Sequence, residues 1–191
     1  MEKRTRLESF HMVDPVERRV MLKAAMALGF GFLQNDAASL RPKEGDLIVK
    51  AGDPRNTPLT ADDIPAGAAQ TLAWAMDPVG RVVRNGSRLN QLLLLRLDPA
   101  RLALETQSRA AAGVVAYTSI CTHSGCDVDT WHEGEQLLFC SCHESTFDPK
   151  DGGRVVDGPA PRVLPALPLT IVDGKLVVAK PFTAPVGYEK G

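Results

Sequence analysis

The sequence predicts an all-β domain carrying an N-terminal helical extension, and three observations support this. Sixteen glycines and fourteen prolines punctuate 191 residues, too often for long helices. The apolar runs are strand-length and bounded by turn dipeptides such as Asn85-Gly86 and Asp173-Gly174. Hydrophobic residues make up 44% of the chain, enough for the core of one domain of ordinary size.

In chain order, Glu17-Arg18-Arg19-Val20-Met21-Leu22-Lys23 approaches the twin-arginine export pattern, and an apolar run from Ala24 to Leu33 follows it. That run is shorter than the roughly 20 apolar residues of a standard spanning helix. Ala37 and Ser39 have the small-residue spacing of a signal-peptidase site, so residues 1–39 are expected to be a cleaved signal or a retained membrane anchor. His11 lies in this segment and has no expected chemistry.

Residues 40–191 are expected to form the domain proper. Asp46–Lys50 reads as a strand, and Asn56–Gly67 as an ordered loop with two prolines. Gln70–Met76 alternates with Leu72, Trp74 and Met76 on one face. Arg81–Arg84 and Gln91–Leu97 bracket Asn85-Gly86 and predict a hairpin. Asp98-Pro99 resembles a cap followed by proline in the first turn, so a helix is expected up to Ala112, with Gly113 ending it. Val114–Ile120 reads as a buried strand. After a turn at Asp151-Gly152-Gly153 come a short strand at Arg154–Val156, a proline-fixed loop at Gly158-Pro159-Ala160-Pro161, and a hairpin of Leu167–Val172 with Lys175–Ala179.

Twenty-two basic and 23 acidic side chains leave the chain nearly neutral, which gives no electrostatic basis for binding nucleic acid. The chemistry is concentrated instead. All four cysteines and three of the four histidines fall between Cys121 and His143, at Cys121, His123, Cys126, His132, Cys140, Cys142 and His143. Thiolate and imidazole are metal ligands, and C-x-H on one loop with C-x-C-H on another fits either a Cys2His2 zinc site or an iron–sulfur cluster with mixed ligands. Zinc fingers usually group like ligands on each arm, whereas here each arm offers both kinds, an arrangement suited to a cluster. His132, beside Trp131, reads as a surface residue on the excursion between the loops. Trp74 and Trp131 read as packing residues.

CTHSGC at Cys121–Cys126 and CSCHES at Cys140–Ser145 resemble the Rieske [2Fe–2S] signature. The form is that of quinol–cytochrome c reductase (bc-type) iron–sulfur subunits, whose proline loop Gly158–Pro161 also matches. The resemblance implies a Rieske-type antiparallel β-sandwich with a cluster-binding subdomain, at about residues 118–162, inserted between strands. It implies one [2Fe–2S] cluster, with Cys121 and Cys140 on one iron and His123 and His143 on the other. It further implies a Cys126–Cys142 disulfide and a cluster-facing hydroxyl at Ser145.

The implied function is one-electron transfer from quinol to a cytochrome, with electron and proton uptake coupled at the catalytic His123 and His143. The implied partners are cytochrome b and cytochrome c1-type subunits, on the periplasmic side of a bacterial inner membrane reached by twin-arginine export. Two positions depart from the bc-type pattern. Ser124 stands where leucine is usual, and Phe147 where many members carry a tyrosine that bonds a ligand sulfur. These departures suit an alternative, the small Rieske subunit of an arsenite-oxidase-type molybdoenzyme paired with a molybdopterin large subunit. A Rieske ferredoxin of a ring-hydroxylating dioxygenase would be expected to lack Cys126, Cys142 and the export signal.

Overall fold

The computed structural model describes residues 37–188. The Arg18-Arg19 motif, the apolar run 24–33 and His11 lie outside the described residues, and among the described residues no helix is long and apolar enough to cross a membrane.

Among the described residues, ten strands form two antiparallel sheets. The larger contains β1 (Leu47–Lys50), β2 (Thr71–Met76), β3 (Leu92–Arg96), β4 (Val114–Thr118), β9 (Leu169–Val172) and β10 (Lys175–Val178), in the order β4-β3-β2-β1-β10-β9. Its open edge folds back on itself: Leu167 N–H donates to Ala116 O at 2.9 Å and Thr118 N–H to Pro165 O at 3.0 Å, so β4 pairs with the segment leading into β9. The smaller sheet is a meander of β5 (Thr130–His132), β6 (Leu137–Cys140), β7 (Ser145–Asp148) and β8 (Arg154–Asp157).

The run Leu92-Leu93-Leu94-Leu95 has no polar face because both of its faces are buried. Leu92 and Leu94 enter a core with Ile48, Ala73, Ala75, Ala116 and Leu176. Leu93 and Leu95 face a second core with Val115, Tyr117, Leu138 and Phe147, which joins the two sheets. Burying each such leucine contributes about 1.5–3 kcal/mol. Cys121 and Cys140 belong to this second core.

The predicted Asp173-Gly174 hairpin forms, with both turn residues at positive φ as a two-residue primed turn requires. Two expectations are corrected. Asp98–Ala112 holds only a 3-10 turn at Pro99–Arg101 and one helical turn, α1 (Leu104–Gln107), because its alanines and leucines pack piecemeal instead of along one stripe. Asn85-Gly86 closes no two-residue hairpin, since Arg81–Arg84 contributes only the Met76–Val83 bridge. Gly86 is small for another reason: a Cβ there would come within 2.6 Å of Ser39 Oγ and 2.9 Å of the Ala38 backbone. On β2 the alternation is real, and the face that shares Leu72, Trp74 and Met76 is buried only at its Met76 end. Ala73 and Ala75 face the core, while Leu72 is exposed and Trp74 half-buried. Pattern identifies residues that share a face, and the crowded interior takes the small ones.

Candidate metal centre

Two loops at one end of the small sheet converge. The first leaves β4 through Ile120 and is closed by Cys121 N–H donating to Cys126 O at 2.8 Å and Gly125 N–H to Cys121 O at 3.1 Å, with Gly125 at φ 80° making the turn. The second connects β6 to β7. Cys140 and Ser145 pair across that hairpin, and Glu144 N–H returns to Cys140 O at 3.0 Å. A Cys126–Cys142 disulfide ties the loops together.

This leaves Cys121 and Cys140 as free, buried thiols. They lie against each other, and burial pushes the Cys140 thiol up to about 11, with the neighbouring Cys121 adding to the shift. A thiol so placed stays protonated near neutral pH and becomes a ligand thiolate only with a cation beside it. His123 and His143 meet edge to face with ring centroids 4.7 Å apart. His123 is half-buried and its Nδ1 is buried without a hydrogen-bond partner; His143 is exposed. Two buried sulfurs and an orphaned imidazole nitrogen on joined loops are the donor set that a metal centre with mixed ligands needs. His143 and the disulfide sulfurs also lie within 4.8 Å of one another, but bonded cysteines carry no thiolate, so the free pair is the better sulfur donor set.

The third side is covered by Gly158–Pro161. Ala160 N–H donates to Ser145 Oγ at 3.1 Å, which leaves the Ser145 hydroxyl proton available to another acceptor. Thr122, buried inside the first motif, donates its hydroxyl to Arg162 O at 2.7 Å and so pins that loop to the proline segment. Arg162 in turn donates to Pro185 O and Gly187 O of the C-terminal tail. Neither role is visible in the spacing of the motifs. His132 lies on β5, apart from the two loops, and stacks on Phe139 at 4.9 Å. Trp131 packs against the second core.

The departures are also placed. Ser124 Oγ lies 3.4 Å from His143 Nδ1 and 3.7 Å from Cys126 Sγ. Phe147 is completely buried in the apolar cluster that contains Cys121 and Cys140.

Fold and site together define a β-protein that holds a metal centre between two disulfide-tied loops. Residues 89–168 match the Rieske [2Fe-2S] domain family. A Streptomyces lividans protein named as the cytochrome bc1 complex Rieske iron-sulfur subunit is 34% identical over 158 residues, covering 78% of this chain and 89% of the relative. The Streptomyces coelicolor protein of the same name is also 34% identical, with 43% of its length covered. A Haloferax mediterranei protein, provisionally named a respiratory nitrate reductase Rieske subunit, is 47% identical over 77 residues, 40% of this chain and 34% of the relative. The chain belongs to the Rieske [2Fe–2S] family, and its cofactor is a [2Fe–2S] cluster.

Proposed function

We propose that this chain is the iron–sulfur subunit of a quinol–cytochrome c reductase-type complex, with Cys121 and Cys140 as ligands of one iron and His123 and His143 of the other. The observation that carries this reading is the identity to the Streptomyces lividans bc1 subunit across 89% of that protein. When bound, the [2Fe–2S] cluster supplies a one-electron acceptor that its two neutral imidazole ligands make easier to reduce than an all-thiolate one.

The chain's own residues do the rest. Burial of Cys121 and Cys140 keeps water from the sulfur side. The exposed His143 ring is placed to accept a hydrogen bond from a quinol hydroxyl and to hold the proton that leaves with the electron. The edge-to-face contact with His123 fixes the ring's orientation, and Ser124 offers a hydroxyl beside it. Ser145 has a proton to donate toward the cluster. In this reading cytochrome b presents the quinol and a cytochrome c1-type subunit takes the electron. Residues 1–39 direct twin-arginine export or anchor the domain 40–191 on the periplasmic face of a bacterial inner membrane, and about 118–162 forms the cluster-binding subdomain.

The test is the native protein purified from membranes. Co-purifying cytochromes, quinol:cytochrome c reductase activity, and an EPR signal of the reduced protein with average g below the free-electron value are expected. Its activity should be lost in His143→Ala. A protein that purifies with a molybdopterin large subunit instead would establish the arsenite-oxidase-type reading. The Haloferax mediterranei likeness covers only 40% of this chain and so speaks to the cluster region more than to the partner.

A further inference from the structure

Thr122 sits between Cys121 and His123, the two proposed ligands of the first loop, and it is wholly buried. A hydroxyl in such a place needs an acceptor. The one it finds is Arg162 O at 2.7 Å, forty residues away and directly after Pro161 of the proline loop. The residue that supplies this carbonyl is itself tethered. The Arg162 guanidinium donates from Nη1 to Pro185 O at 2.8 Å and from Nη2 to Gly187 O, so one residue joins the first loop, the proline loop and the C-terminal segment.

Residues 181–187 form no strand or helix, yet they are tied down along their length. Thr183 N–H donates to Ala166 O at 2.9 Å and its Oγ1 accepts from Ala166 N–H at 3.0 Å, while Phe182 packs against the first core. At the far end Gly187 runs close to the domain: a Cβ there would lie 3.4 Å from Leu89 Cδ2 and 3.6 Å from Ile120 Cγ2, and Ile120 is the residue before Cys121. The segment therefore meets the root of the first loop directly and its interior through Arg162. We propose that residues 181–187 are a strap for the metal centre, with Arg162 as the positioning residue that transmits their hold to Thr122 and so keeps Cys121 and His123 in place for the cluster. This rests on the cluster reading above. The far end of the loop has its own clamp, Arg88 donating to Gly125 O at 2.8 Å, but that guanidinium is 57% exposed and its partner Asp127 59%. Such a surface contact is weak, whereas the Thr122 side chain is buried and the two Arg162 bonds have a charged donor.

The test uses the full-length, cluster-loaded protein and reads two quantities: the rate of cluster loss to a chelator, followed by visible absorbance, and the EPR line shape of the reduced state. Thr122→Val removes the hydroxyl at nearly constant volume. Arg162→Met removes the charged donor and keeps an unbranched side chain over the same surface. Each should lose its cluster about fivefold faster than wild type, the weight of one net hydrogen bond, with altered lines. Arg162→Lys, which can still donate to the tail carbonyls, should recover part of the difference. Because both changes act through one bond, the double variant Thr122→Val/Arg162→Met should be no faster than the quicker single one. Rates that multiply in the double variant, or an Arg162→Met protein equal to wild type in both readouts, would overturn the proposal. Should Arg162→Met fail to fold, a Thr122→Val protein with wild-type rate and line shape would overturn it equally. A wild-type protein with no EPR signal on reduction would instead refute the cluster reading itself.

Discussion

Arg84 and Asp46 form a two-pronged ion pair inside the domain, with Arg84 Nε donating to Asp46 Oδ2 at 2.5 Å and Nη2 to Oδ1 at 2.9 Å, and only 2% and 0% of the two side chains exposed. The hydrogen bond to Asp46 holds the guanidinium above its ordinary range. The remaining arm, Nη1, donates to Ala37 O, and Asn90 Nδ2 bonds both Arg84 O and Leu40 O, so the pair also seats the chain's entry into the domain. Replacing Arg84 with Met strands the Asp46 carboxylate in the interior. A loss of about 3–5 kcal/mol is expected from urea denaturation. The double change Arg84→Met with Asp46→Leu should recover part of it, and a single variant as stable as wild type would show that the buried carboxylate finds another partner.

Gly158 approaches the second loop more closely than any side chain allows. Its φ is 84°, and a Cβ would come within 2.5 Å of Ser145 Cα and 2.6 Å of Glu144 O, both rigid backbone atoms. Gly158→Ala must therefore push the proline loop off Ser145 and break the Ala160–Ser145 hydrogen bond. The expected result is a folded protein with a broadened EPR spectrum and a cluster lost faster to chelator. A line shape and chelation rate equal to wild type would mean that the loop tolerates the shift.

Much of this was legible in the sequence, for identifiable reasons. The hairpin at Asp173-Gly174 and the strand Val114–Thr118 follow from local turn chemistry and a wholly apolar run. The proposed donors Cys121, His123, Cys140 and His143 stand out because metal chemistry demands rare residues close together. What was hidden depends on contacts distant in sequence. Gly86 is explained by Ser39, the face of β2 by which side the larger core occupies, and Thr122 by Arg162 forty residues away. A buried threonine carries no signal of its own until its partner is placed. The expected 98–112 helix failed because capping residues describe how a helix begins and do not ensure that tertiary packing sustains it.

Acid should weaken the domain through Asp53 and Asp63 together. The backbone N–H groups of Thr57 and Arg55 hold the Asp53 carboxyl below its ordinary value of 3.8, and the Thr60 N–H and hydroxyl do the same for Asp63. Because the folded values are depressed, the unfolded chain binds protons first. The contribution is complete above 3.8 and disappears as the pH falls through that value and then through the lower folded ones. Measured by chemical denaturation, Asp53→Asn/Asp63→Asn should be less stable than wild type at neutral pH and converge with it in acid. A gap that stays constant as the pH falls would assign the loss to packing instead.

At Phe147 a single added atom tests whether a hydroxyl can reach the sulfur of Cys121 or Cys140. Phe147 is fully buried on β7 in the cluster with Cys121 and Cys140, and it brings no donor to either sulfur. Family members with tyrosine at this position bond a ligand sulfur through its hydroxyl, which spreads the charge of the reduced state. Phe147→Tyr should therefore raise the midpoint potential. A net hydrogen bond of about 1 kcal/mol corresponds to about 40 mV for a one-electron couple. Overpacking is the competing effect, since the added oxygen enters a filled core, and it would appear as lost thermal stability without a change in potential. Potentiometric titration of both proteins separates the two. An unmoved or lowered potential in a folded Phe147→Tyr protein would show that the hydroxyl does not reach a ligand sulfur in this chain.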